Sequence, residues 1–284
     1  MSDVPGGPGL PPPPPMSGGP SGGIPPKRIG EILSAAFDIY RANAAKLLLL
    51  VALVVVPLTL VSVLVTNAIV DAGDIDVRGG ELVVDDVGTS FLAALFAGAI
   101  GGLILVLISA VLQAATVRAA AQATIGDPVD VEASYRYGFR RLGSVILISI
   151  LVGLIVGAGF ILLIIPGIIF LVFLSCSIPS LIVEDRRGTD ALGRSWNLVS
   201  GQFWHALGVI VVAALIVGVV NAIIGAIGGD AWVVRWIFTA IAQIVTAPFA
   251  ALVSVLLYLD LRARSESLNT TTLRQELAAG GGPT

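Results

Sequence analysis

Residues 144–183 contain no charged side chain and are apolar almost throughout. As one helix at 1.5 Å per residue this stretch would reach about 60 Å, twice the ~30 Å hydrocarbon core of a bilayer. Pro166-Gly167 interrupts it. Proline supplies no backbone N–H and glycine permits a turn, so the stretch is predicted to fold back there into a transmembrane hairpin, Ser144–Ile165 and Ile168–Val183. Four further apolar runs match a membrane span in length: Lys46–Val70, Phe91–Thr116, Phe203–Gly228 and Trp232–Asp260. Composition agrees: 56% of the chain is hydrophobic and only 12% charged, against about 25% charged in ordinary soluble domains. The fold class expected is therefore all-α, a polytopic bundle of six transmembrane helices. Too little polar sequence remains for a soluble catalytic domain.

Residue counts exclude several chemistries. The one cysteine, Cys176, can make neither an intrachain disulfide nor a cysteine zinc site, and the one histidine, His205, cannot form a His pair. There is no phosphate loop of the G-x-x-x-x-G-K-[ST] type. Net charge is −3 and no basic block is present, so nucleic acid is not an expected partner. No cofactor and no metal site is expected. The acids of the 71–90 loop match no calcium-loop spacing. The first run starts too far in, and is too long, for a cleaved signal peptide.

Residues 1–26, MSDVPGGPGLPPPPPMSGGPSGGIPP, cannot form a core and are expected to be a disordered tail, with polyproline II character at Pro11–Pro15. The membrane domain is expected over 27–264, and 265–284 reads as a second tail. Of sixteen Lys and Arg, fourteen fall on one side of the six-run topology; only Arg78 and Arg235 fall on the other. The positive-inside rule makes the crowded side cytoplasmic and puts both termini there, in a cell membrane. An even number of spans requires the same.

A threefold pattern overlies the spans. Ile29, Ile32, Leu33, Ala36, Phe37 and Tyr40 share one helical face; Val131, Tyr135, Phe139 and Leu142 make a second stripe; Leu192, Trp196, Val199 and Phe203 make a third. Asp127 with Pro128 can open the second helix, and Thr189 the third. Aligning Phe37, Tyr135 and Trp196 brings the three hairpins into register. The chain thus reads as three units, each an interfacial helix followed by a transmembrane hairpin. Helices of this kind lie in the headgroup plane, and a collar around the bundle is expected over 28–43, 131–142 and 190–202. The candidate lipid contacts are Phe37, Tyr40, Arg41, Lys46, Tyr135, Arg140, Arg194 and Trp196, with membrane lipids as partners.

Within the spans, Gly98/Gly102, Gly153/Gly157 and Gly225/Gly229 are G-x-x-x-G pairs of the sort that let helices approach closely. Gln113, Asn221 and Gln243 are the main polar side chains inside. They read either as interhelical hydrogen bonds or as a polar path between helices. No Asp, Glu, Lys or Arg falls near the middle of a run, which argues against a proton-coupled transporter.

Several stretches resemble one family. RIGEILSAAFDIYRANAAKLLLL at 28–50, IPGIIF at 165–170, DALGRSWNLVSGQFWHALGV at 190–209 and LLYLDLRAR at 256–264 look like the membrane domain associated with glycerophosphoryl diester phosphodiesterases. The resemblance covers roughly residues 28–277. It implies a polytopic domain, fused to the enzyme or standing alone, and brings no catalytic residues to this chain. The enzyme's soluble domain needs several histidines and acids, and this sequence has no segment to house it. The expectation is a non-enzymatic membrane protein that organises lipids or protein partners. The alternative is a transporter or lipid-handling protein using Gln113, Asn221 and Gln243.

Overall fold

The computed structural model describes the backbone of residues 25–72, 75–78, 81–84, 87–186, 188–227, 232–266, 268 and 270–281; side chains of 61–105, 232–233, 235, 270 and 278–281 are not covered. Residues 1–24 of the expected tail lie outside the described residues, as does Gly229. Among the described residues, six segments are long and apolar enough to cross a membrane: Ile29–Leu60, Val106–Thr124, Leu142–Leu162, Ile164–Val183, Phe203–Ile227 and Trp236–Ser265. The protein is an all-α, multi-pass membrane bundle.

The first unit departs from the expected break between interfacial helix and span. Helix α1 runs unbroken over Ile29–Ala72, 44 residues, with Pro57 inside it. The junction Arg41–Lys46 reads RANAAK, good helix formers with neither Gly nor Pro to stop them. Most of its stripe meets protein, while Phe37 stays exposed. Ile32 and Ala36 are fully buried, and the Tyr40 hydroxyl donates to the Val245 carbonyl at 3.2 Å. A hairpin of β1 (Ile75–Arg78) and β2 (Glu81–Val84) follows, antiparallel, with Ile75 opposite Val84 and Arg78 opposite Glu81. Helix α2, Val87–Thr124, returns across the membrane and continues eight residues past the expected end at Thr116.

In the second unit, α3 (Val131–Arg140) is separate from α4 (Leu142–Leu162), the two parting at Arg141. The hairpin after α4 turns at Leu163, whose backbone is extended (φ −166°, ψ 153°), and α5 covers Ile164–Leu174. The turn thus comes three residues before Pro166-Gly167. Pro166 is the third residue of α5, where the N–H has no intrahelical acceptor anyway; the proline opens the helix instead of interrupting it. The fourth span contains a second break at Ser175–Cys176, after which α6 runs Ser177–Val183.

The third unit is α7 (Asp190–Ser200), a break at Gly201–Gln202, then α8 (Phe203–Ile227) and α9 (Trp232–Ser265). The expected C-terminal tail holds another helix, α10, Thr270–Gly281, whose Leu273 and Leu277 are buried.

Helices α1, α2 and α9 form the centre of the bundle. The small side chains Ala114, Ala115, Ala119, Ala120 and Ala121 on α2 admit the large ones of α9, among them Leu252, Leu256 and the fully buried Tyr258. Outward faces of α4 and α8 expose Leu147, Ile150, Leu154, Leu215, Val219 and Ile223. Water would penalise that surface, whereas lipid tails are as apolar as the side chains themselves.

Candidate functional site

The end of the bundle where α1 begins and α9 leads into α10 gathers the features able to do chemistry. Helix α3 opens at Asp130, whose side chain accepts the Ala133 N–H at 3.0 Å. The cap is therefore three residues later than the Asp127–Pro128 start read from sequence. Asp127 instead lies 3.7 Å from Arg274 of α10. The inner face of α3 is seated on α2 and α6. A Cβ on Gly138 would come within 3.0 Å of the Val111 carbonyl oxygen. The Tyr137 hydroxyl donates to Ile182 O at 3.1 Å, and the Arg118 guanidinium sits 4.2 Å from the Tyr137 ring centroid. The outer face is the expected stripe. Val131, Tyr135, Phe139 and Leu142 all line one groove of about 730 Å³, and Leu53, Val54, Leu107, Ile108 and Val111 form its opposite wall. The Tyr135 hydroxyl donates to Leu50 O. Burial pushes the Tyr135 phenol up to about 12, so it stays neutral at any physiological pH.

Helix α7 behaves differently from α3. Trp196 stacks on Phe173 of α5 with centroids 4.1 Å apart, and Phe203 packs on the same ring at 5.4 Å. Ser195 holds the break in the fourth span: its hydroxyl donates to Phe173 O at 2.7 Å and accepts the Cys176 N–H at 3.0 Å. Two backbone groups freed by the break are thereby satisfied by a side chain.

Beneath α7 lies a cluster of charges that spacing alone does not reveal, because its members come from α7, α9, α10 and the segment after α6. Glu184 accepts from Arg194 Nε at 2.8 Å, from Arg186 Nε at 2.6 Å and from the Tyr258 hydroxyl. Arg262, with 6% of its side chain exposed, grips Glu276 of α10 with Nη1 at 2.7 Å and Nη2 at 3.0 Å. Arg194 also pairs with Glu266. Burial tends to raise the Glu184 carboxyl; hydrogen bonds from Tyr258, Arg186 and Arg194 and the charge of Arg262 outweigh it and hold the carboxyl below its ordinary range. A second knot surrounds Asp260, 1% exposed, which accepts from Arg264 Nε at 2.8 Å and from the Lys27 N–H, with His205 Nε2 2.9 Å away. These knots tie the N-terminal entry, α7, α8, α9 and α10 together. Their charges neutralise one another, and among the described residues no group of three or more His, Cys, Asp or Glu is placed to hold a metal.

The candidate lipid contacts therefore divide. Phe37, Arg41, Lys46 and Arg140 are exposed, Tyr135 is half-buried at the groove, and Trp196 is 41% exposed on one face while stacked on the other. Tyr40 and Arg194 are engaged with protein, in α9 and in the charge cluster. The candidate polar path does not assemble. Asn221 donates to Val217 O within its own helix at 2.9 Å, and Gln243 is exposed on α9. Gln113 faces α4, where Ser149 donates to its Oε1 at 3.3 Å. No family model, no curated protein and no solved structure matches the chain.

Proposed function

We propose that the protein is a non-enzymatic, multi-pass protein of the cell membrane, with both termini in the cytoplasm, that organises lipids at the inner leaflet. The observation that carries this reading is the groove under α3, where an apolar stripe faces lipid-level side chains of α1 and α2. Arg136, paired with Glu132 at the groove, and Arg140 are exposed on the same helix and Lys46 on α1. An apolar stripe beside cations suits an anionic leaflet, where each Lys or Arg contributes about 1 kcal/mol. The fourteen-to-two division of cations supports the orientation. The motif likeness to the membrane domain associated with glycerophosphoryl diester phosphodiesterases supports an accessory role, since that domain also stands alone.

The test is lipid mass spectrometry of protein purified from membranes in mild detergent. Anionic phospholipid is expected to be enriched over its share in the membrane, and the double variant R136Q/R140Q to lose that enrichment several-fold. Equal enrichment in wild type and variant would overturn the reading.

A further inference from the structure

A cavity of about 890 Å³ opens in the wall of the bundle between α2, α4 and the broken helix α5–α6. That is the size of an ordinary small-molecule pocket. Among the described residues its wall is aliphatic except for Phe160 and four polar side chains, Ser109, Gln113, Ser149 and Ser175, and none of them is Asp, Glu, Lys, Arg or His. The Ser109 and Ser175 hydroxyls donate to their own helices, to Val106 O at 3.0 Å and Val172 O at 2.8 Å, which leaves their oxygens as acceptors. Ser149 occupies the Gln113 carbonyl oxygen. The Gln113 side chain is exposed and lines the cavity, and its amide NH₂ has no protein partner among the described residues. The site therefore offers two donors and several hydroxyl acceptors, all uncharged.

A second observation concerns glycine. A Cβ on either Gly153 or Gly157 would meet nothing within 4 Å, and both residues line the cavity. Among the described residues nothing packs against them, and the two glycines leave space there. The rim residues Val106, Ile150 and Phe160 are each more than 40% exposed, so the cavity communicates with the lipid phase. Ser149 lies seven residues along α4 from Leu142, about 10 Å below the charged end.

We propose that this cavity binds a neutral glycerolipid with a free hydroxyl, of the diacylglycerol class. Its ester carbonyls match the Gln113 NH₂, its hydroxyl matches the serine acceptors, and an acyl chain lies along the Gly153–Gly157 face. A phospholipid fits the same shape but would sink its phosphate about 10 Å into an uncharged wall with no cation to meet it, and burying an unpaired charge is costly. This ligand is separate from the anionic lipid at α3, so either reading can fail without the other.

The experiment uses the full chain in phosphatidylcholine nanodiscs with a photoactivatable diacylglycerol analogue. Cross-links are expected on α2 and α4 peptides, competed by unlabelled diacylglycerol about tenfold better than by phosphatidylglycerol. Gly157→Leu and Gln113→Leu should each cut labelling about tenfold. Gly225→Leu, which adds bulk to open space on α8 away from the cavity, should label like wild type with an unchanged melting transition. If Gly157→Leu fails to fold, Gln113→Leu carries the test. Equal competition by phosphatidylglycerol, or wild-type labelling of Gln113→Leu, would overturn the proposal.

Discussion

Gly159 and Gly167 face each other across the α4–α5 hairpin so closely that a Cβ on Gly159 would lie 2.9 Å from the Gly167 Cα. The obstacle is backbone, which cannot rotate aside. Gly159→Ala is expected to loosen the hairpin and cost about 1–3 kcal/mol, the usual range for overpacking. Gly153→Ala on the same helix, where a Cβ meets open space, should be neutral or slightly stabilising, since alanine is the better helix former. Melting in detergent followed by circular dichroism separates the two; equal losses would show that the close approach is not what the glycine serves.

That pair also shows how far the sequence could be read. Six spans and their hairpin order follow from apolar run length, because a bilayer forces continuous helices of known reach. The glycine contacts do not follow. G-x-x-x-G spacing singles out Gly153 and Gly157, which face a cavity, and misses Gly159 and Gly167, eight residues apart and joined only by the turn at Leu163. Amphipathic stripes located α3 and α7, which end at Arg141 and at Gly201 before the spans begin. The same stripe on α1 could not reveal that RANAAK carries the helix straight on. The charge cluster was illegible for another reason: Glu184 is 74 residues from Tyr258, and Glu276 sits in a stretch whose composition reads as a tail, so the members meet only when α9 and α10 dock.

Ser195 is expected to matter more than a small polar residue on a surface helix would. Ser195→Ala leaves the Phe173 carbonyl and the Cys176 N–H without their partner at the α5–α6 break. An unsatisfied buried polar group costs about 1–3 kcal/mol. The melting temperature should fall, and amide exchange around Phe173–Ser177 should quicken while α1 and α9 keep their protection. Unchanged exchange at the break would show that the serine does not hold it.

Removing α10 by stopping the chain after Glu266 should destabilise the bundle without preventing insertion. Leu273 and Leu277 lose their burial, and Arg262 loses both bonds to Glu276. Breaking a buried ion pair from one side costs about 3–5 kcal/mol. Glu276→Gln in the full chain should show part of that loss. A truncated protein that melts like the full chain would mean that α10 is the tail its composition suggests.

The last expectation concerns acid. The Glu184 carboxyl is held below its ordinary value of about 4.3 in the folded protein. The folded state therefore binds that proton less tightly than the unfolded chain does. Its contribution to stability is fully present above the unfolded value and is lost as pH falls through the folded one. Asp185, Asp260, Glu266 and Glu276 lie at the same end of the bundle, so the informative quantity is the difference between wild type and Glu184→Gln. At pH 7 the variant should melt well below wild type, because Arg186 loses its anionic partner and Arg194 keeps only Glu266. From pH 7 to 5 the gap should stay constant. Below about pH 4 it should close as wild type itself becomes protonated at Glu184. A gap that persists undiminished at the lowest pH the protein tolerates would show that Glu184 acts through packing and hydrogen-bond shape instead of charge.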